Sequence, residues 1–145
     1  MKIIHHYIEL STGKSVHLID ITNNINTLIA EAKIQNGFVS ISSQHTTLAI
    51  TVNENEERLL DDIPIFFEKL ASSSAKYLHN DLHLRDCPSD EPENAHAHLI
   101  AMCMGNSESF SVVEGKLVLG TYQSVMAVEL DGPRERRVSV QIIGE

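Results

Sequence analysis

Tryptophan is absent from this chain of 145 residues, cysteine occurs only twice, and 11 Lys and Arg face 20 Asp and Glu, a formal charge of −9 with histidine neutral. Each shortage excludes something. Cys87 and Cys103 stand at a spacing that suits neither a CxxC redox pair nor a four-thiolate zinc site, and two thiols build no disulfide framework, so they read as a loop thiol and a core thiol. The scarcity of cations leaves no basic stripe to displace counterions from a phosphate backbone, which argues against nucleic acid as a partner. No apolar run approaches the ~18 residues of a membrane span. The first residues, MKIIHHYIELS, lack the apolar stretch and small-residue cleavage site of a secretory signal, so a cytoplasmic protein without a membrane partner is expected.

What is present suits one folded domain over residues 1–145, because a chain of this length can bury roughly 70% of its unfolded surface without a disulfide or structural metal. Two β-branched and aromatic stretches, Lys2 to Leu10 and Ser15 to Ile21, are parted by Ser11-Thr12-Gly13 and read as a hairpin. Thr22 or Asn23 can cap a helix carrying Ile25, Leu28, Ile29 and Ala32, with Asn36-Gly37 as its stop. Val39 and Ile41, then Leu48, Ile50 and Val52, alternate with small or polar residues as two half-buried strands around Gln44-His45-Thr46-Thr47. From Asn55 to Leu70 an apolar stripe is interrupted by Pro64, which predicts two short helices or one bent one. Residues 71–94 show no period, and a structureless connection this long marks a candidate part of a site. Asn94 can cap a short helix with Leu99, Met102 and Cys103 facing inward, ending at Gly105-Asn106. The remainder reads as strands over Phe110–Val113, Leu117–Leu130 and Arg134–Ile143, with turns at Glu114-Gly115-Lys116 and Asp131-Gly132-Pro133. Strands at both ends and helices in the middle give an α+β domain with antiparallel sheets.

Histidine is where the composition is unusual, with eight residues: His5, His6, His17, His45, His79, His83, His96 and His98. On a helix, His96 and His98 lie about 200° apart, so only one can face a site. His79 and His83 have the spacing of a helical two-histidine clamp, but their surroundings disfavour a helix. His45, His79 and His98, each at an element boundary, could hold a zinc-type ion with an open position, or could be three separate hydrogen-bonded side chains. Glu56, Glu57 and Asp61 read as a solvated helix face, whereas Glu54 and Asp62 could orient a histidine or act as a base. Thr46, Thr47, Lys116, Arg134, Arg136 and the backbone near Gly105 could offer donors to a phosphate.

Taken in order, Ser43-Gln44-His45-Thr46-Thr47 through Asn53-Glu54, Asp62, Tyr77-Leu78-His79-Asn80-Asp81, Asn94-Ala95-His96-Ala97-His98-Leu99, Gly115 through Gln123, and Asp131-Gly132-Pro133-Arg134-Glu135-Arg136 resemble the YjbQ-like family, whose members are labelled secondary thiamine-phosphate synthase enzymes. The resemblance implies a compact α+β fold assembled as a homotrimer. It implies a shared metal or catalytic role for His45, His79 and His98, and places Glu54 and Asp62 beside them. Asn53, Gln123, Arg136 and Thr46 become substrate contacts. The family's Gly-Thr-Trp-Gln reads Gly120-Thr121-Tyr122-Gln123 here, a phenol in place of an indole.

The function so implied is the joining of a pyrimidine diphosphate to a thiazole phosphate with release of pyrophosphate, secondary to another native reaction. The expected cofactor is a divalent ion, zinc at the histidines or magnesium with the substrate phosphates. Two alternatives stand beside it. One is a metal-dependent hydrolase of a small phosphorylated or amide substrate; the other is a non-catalytic trimer that binds a metal or small ligand.

Overall fold

The computed structural model describes residues 1–145, and its eight strands fall into two antiparallel sheets. The strands are β1 (Lys2–Ser11), β2 (His17–Asp20), β3 (Gly37–Ser43), β4 (Leu48–Asn53), β5 (Ser107–Val113), β6 (Lys116–Leu117), β7 (Ser124–Glu129) and β8 (Glu135–Gly144). The helices are α1 (Thr22–Ala32), α2 (Glu57–Leu70) and α3 (Ala95–Met104). The five-stranded sheet runs β1-β8-β3-β5-β6 and the three-stranded sheet β2-β7-β4. The α+β class and the antiparallel sheets expected from the sequence are what the chain forms.

Burial explains the layering. Leu48, Ile50, Val125 and Ala127 turn one face of the small sheet toward Val39, Ile41, Val138, Val140 and Ile142 of the large one, and Ile21, Ile25 and Ile29 of α1 complete that core. The alternate residues Ala49 and Val128 face the other way, onto Phe67 of α2 and Ala97 and Ile100 of α3. Strands β4 and β7 are therefore covered on both faces, which is why Val125 to Leu130 is an unbroken buried run. The outer face of the large sheet stays open, with Ile3, Tyr7 and Phe38 exposed.

Several local expectations are corrected. β1 and β2 are no hairpin: β1 pairs with β8 and β2 with β7, in different sheets. The reason lies in the link between them, where the Thr12 amide donates to Arg134 O and its hydroxyl to the buried Glu129, so the chain is pinned while it crosses from one sheet to the other. α1 takes Ile21 as its N-cap without a side-chain bond, because the Thr22 hydroxyl accepts from Val125 N instead, and the helix stops early, at a left-handed Lys33. Of the two forms expected for 55–70, the chain takes the single helix, α2, with Pro64 inside it. α3 presents Ala95, Ala97 and Ile100 inward, whereas Leu99, Met102 and Cys103 are exposed; an apolar sequence all round the helix left its periodicity without a direction. The strand expected over Leu117–Leu130 breaks between Leu117 and Ser124. The 71–94 connection is irregular apart from short 3₁₀ turns at Leu78–Asn80 and Leu82–Leu84, so His79 and His83 share no helix face.

Candidate functional site

In the register of β4 against β7, Leu48 lies opposite Glu129 and Asn53 opposite Ser124. The sheet thus has one end at which the 44–47 turn, the end of β7, the start of β8 and the N-terminus of α3 come together. Two adjoining clefts open there. The larger, about 660 Å³, is bounded by His45, Thr46, Leu48, His98, Ala101 and Met102 among others. The smaller, about 260 Å³, is mostly polar, with Pro88 and Pro92 beside Thr46, Asn94, His98, Asp131, Arg134 and Arg136. His98 and Thr46 belong to both.

Beneath the clefts is a buried ion pair that sequence patterns did not reveal. Glu129, fully buried, accepts from Arg136 Nε at 2.7 Å and Nη2 at 2.6 Å, from the Thr12 hydroxyl at 2.9 Å, and from the amides of Leu130 and Asp131. Burial alone would push its carboxyl up, but these hydrogen bonds outweigh burial and hold it below the usual glutamate range. Arg136, 6% exposed, also donates to Thr47 Oγ1, and its other amino group has no partner in the chain. Arg134 likewise spends Nε and Nη2 on Asp131 and leaves Nη1 free. A carboxylate in an otherwise apolar strand, facing an arginine in the next, is the signal that could have found this pair.

The histidines are held differently from one another. His45 lies just past the end of β3, and its Nε2 accepts the Arg137 backbone N–H at 3.0 Å, filling the place where a strand carbonyl would have paired. A backbone amide can only donate, so Nε2 is the unprotonated nitrogen and Nδ1 carries the proton. Burial, together with the nearby Arg136 and Arg137 guanidiniums and against the pull of Glu129, holds His45 below the usual histidine range. His98 makes edge-on contact with His79, ring centroids 4.8 Å apart. Burial and the adjacent His79 lower His98, against the pull of Asp131 and Glu91. Both His45 and His98 are thus neutral near pH 7. No hydrogen bond within the chain involves the ring nitrogens of His98, and His79 Nε2 is buried without a partner. His79 is set by its neighbour Asn80, whose Oδ1 accepts the Ala95 amide and so caps α3 from outside. Asn94, at the N-cap position itself, makes no cap bond.

His45, His98, Thr46 and Arg136 are therefore gathered at one end of the sheet, with His79 packed on His98. Asn53 and Glu54 are exposed at the far end of β4, roughly 17–20 Å along the strand. Gln123, which accepts the Gly120 amide, adjoins that far end, and Asp62 is exposed on α2 and borders neither cleft. Within one chain these four do not meet the histidines. For a metal, no group of three or more His, Cys, Asp or Glu side chains is gathered closely enough to hold an ion. His45 Nε2 is occupied by Arg137, while His79 and His98 retain free nitrogens. His96 sits apart, near Glu68 of α2, and His83 is exposed. No helix is long and apolar enough to cross a membrane.

Known proteins resemble this one over the whole length of the chain. A UPF0047 protein from Methanothermobacter thermautotrophicus is 38% identical over 145 residues, covering 100% of this chain and 95% of its own length. Another, from Archaeoglobus fulgidus, is 40% identical over 134 residues, covering 92% of this chain and 97% of the relative. Among solved structures, a YbjQ-like protein of unknown function from Sulfolobus solfataricus P2 superposes with a TM-score of 0.88 at 39% identity, covering 99% of both chains. A hypothetical protein from Aeropyrum pernix K1 gives 0.87 at 34% identity, covering 98% of this chain and 99% of the other. The family model described as UPF0047 protein YjbQ-like matches residues 6–145, and the chain belongs to that family.

Proposed function

We propose that this protein is a small-molecule enzyme with thiamine-phosphate synthase-like activity, secondary to another native reaction. The observation that carries the reading is the junction of the two clefts at His98 and Thr46: a polar one with free guanidinium amino groups, and a larger one with an apolar wall of Leu48, Ala101 and Met102. The pyrimidine diphosphate would occupy the polar cleft and the thiazole phosphate the larger one. The thiazole nitrogen lone pair forms a bond to the pyrimidine methylene carbon as its C–O bond to the diphosphate breaks, and pyrophosphate leaves with the electron pair. Arg134 and Arg136 would meet the developing negative charge in the polar cleft, and His45, which borders the larger cleft with Nδ1 bearing its proton, would offer a neutral donor to the thiazole phosphate there. The neutral His98 would serve as acceptor or shuttle for a proton at the junction.

Asp90 and Glu91 also line the polar cleft, so the diphosphate is proposed to enter as its magnesium complex. The two imidazoles with free nitrogens, His79 and His98, would hold any zinc-type ion, which when bound supplies positive charge beside the leaving group. Assembly as a homotrimer in the cytoplasm belongs to the same proposal. The exposed Leu78, Leu84, Leu99 and Met102, on α3 and the 78–84 turns, supply apolar surface for a neighbouring copy.

The test is a two-substrate assay with magnesium or zinc, following pyrophosphate and thiamine phosphate together. Equimolar formation of both, lowered about a hundredfold or more in His98→Ala, is expected. Absence of condensation at high enzyme concentration with every divalent ion would end the assignment. A second reading rests on His98, which borders both clefts and whose ring nitrogens make no hydrogen bond within the chain: loss of diphosphate to water without condensation would identify a hydrolase.

A further inference from the structure

Thr12 is buried in the link between β1 and β2, where the chain leaves the large sheet for the small one. Its hydroxyl serves two partners at once. It accepts the Arg134 amide at 2.8 Å, and its own proton goes to Glu129 Oε2 at 2.9 Å, a carboxylate being a stronger acceptor than the Arg134 carbonyl at 3.1 Å. The Thr12 amide donates to Arg134 O at 2.9 Å, so both main-chain polar groups of Arg134 are held by this one residue. The turn that carries Arg134 is pressed onto the same place: a Cβ at Gly132 would stand 2.9 Å from Thr12 Oγ1 and 2.8 Å from Glu129 Cγ, and would collide with Lys14 O, so only glycine lets the turn settle there.

The two oxygens of Glu129 are held unequally. Oε1 takes Arg136 Nη2 and the amides of Leu130 and Asp131, whereas Oε2 takes only Arg136 Nε and the Thr12 hydroxyl. Thr12 is therefore the one neutral donor that fixes Oε2, and with it the plane of the Arg136 guanidinium, because a fork of Nε and Nη2 follows the plane of the carboxylate it grips. What this leaves of Arg136 is Nη1, which makes no hydrogen bond within the chain and is not among the enclosed atoms. Arg136 is otherwise buried and lines the polar cleft, so the cleft meets a buried cation through its one spare amino group. Arg134, in the same cleft, has Nη1 spare as well.

We propose that Thr12 is the positioning residue of the polar cleft: through the Arg134 main chain on one side and the Glu129 carboxylate on the other, its hydroxyl sets the two arginines relative to one another, so that their spare amino groups meet a single diphosphate. This rests on the function proposed above, in which this cleft takes the diphosphate group. Thr12 touches no ligand and acts only through the arginines. A hydroxyl suits the place because it accepts from one partner while donating to the other; a methyl there would strand the Arg134 N–H and free Glu129 Oε2 to turn.

Calorimetric titration with inorganic pyrophosphate in magnesium buffer tests the proposal, beside urea unfolding of each variant. Thr12→Val keeps the shape of the side chain and removes the hydroxyl, and its affinity is expected to fall about tenfold or more. Thr12→Ser, which keeps the hydroxyl, should hold most of the wild-type affinity. Ile29→Val, a truncation in the α1 core, loses stability without touching the clefts and should bind as the wild type does, which separates placement of the arginines from loss of stability. In NMR spectra without ligand, the Arg136 Nε–H signal should move in Thr12→Val and stay in Ile29→Val. If Thr12→Val does not fold, Thr12→Ala, which sets no methyl against Glu129, carries the comparison. Wild-type affinity without the hydroxyl, a loss that Ile29→Val matches, or a loss that Thr12→Ser shares overturns the role of Thr12 and leaves the functional reading standing. Absence of pyrophosphate binding by the wild type defeats the placement of the diphosphate itself, and the inference falls with it.

Discussion

The two ends of the β4–β7 ladder are built from the same two strands and treat charge in opposite ways. At the Leu48–Glu129 end, Glu129 and Arg136 are buried and share their hydrogen bonds with Thr12, Thr47 and two backbone amides. At the Asn53–Ser124 end, Asn53 and Glu54 are exposed; Asn53 accepts only the amide of its own neighbour Glu54, and Asp20, Thr22 and Asn55 form a solvated cluster beside them. The difference teaches where organisation has been invested. A desolvated ion pair costs more than it returns unless its geometry is fixed from all sides, and only the end that carries His45, His98 and the clefts has that geometry.

Breaking the buried pair should have the largest effect. Glu129→Gln leaves the Arg136 charge enclosed without its counter-ion, and a loss of about 3–5 kcal/mol in urea unfolding is expected. Replacing both partners, with Glu129→Leu beside Arg136→Met, should recover most of that loss while removing from the polar cleft one of the two arginines proposed to meet an anion. Recovered stability with lost diphosphate binding would separate what the pair does for the fold from what it does for the site.

Asn80→Ala comes next. It removes the outside cap of α3, so about 1 kcal/mol is expected, together with a shift of the His79 ring signals relative to His98 in NMR spectra. A loss of stability without movement of His79 would detach the cap from the site.

The pH response is smaller but has a definite sign. His45 and His98 are both held below the ordinary histidine value of about 6.5, so over the interval below that value the unfolded chain binds more protons than the folded one. The stability they contribute is complete above about pH 6.5 and is lost as pH falls through their folded values. Melting temperatures between pH 7.5 and 5 should fall in the wild type and fall less steeply in His45→Gln and His98→Gln. The lowered Glu129 adds a separate loss at more acid pH, below about 4.3. Equal slopes in all proteins would mean that the histidines do not titrate differently in the folded state.

The open and buried ends also differed in how legible they were. Alternation exposed β3 and β4, and the helical spacing of Ile25 and Ile29 exposed α1, because a half-buried strand and an amphipathic helix write their period into the chain. α3 did not, since apolar residues surround it on every side, and the partners of β1 and β2 did not, since sheet membership is decided by Thr12 meeting residues more than a hundred positions away. His45 and His98 were readable as candidates by position and resemblance, and the fold brings them to one pair of clefts. In the sequence Glu129 looks like any other member of its strand and Asn94 like an ordinary cap, because a carboxylate's counter-ion and an amide's direction are tertiary facts.

The smallest expected effect is at the open end, where it bears on the whole comparison. Glu54 is exposed, its side chain makes no hydrogen bond within the chain, and Glu54→Gln should change stability by no more than about 0.5 kcal/mol. The separation along β4 also places it beyond reach of a ligand in the clefts of its own chain, so a site completed within one chain predicts unchanged two-substrate activity for this variant. A large drop in activity at unchanged melting temperature has one structural meaning: Glu54 enters the cleft of a neighbouring copy. Mixing Glu54→Gln with His98→Ala chains checks this, because each would then supply what the other lacks, and activity should return in the mixture only if the site is shared between copies.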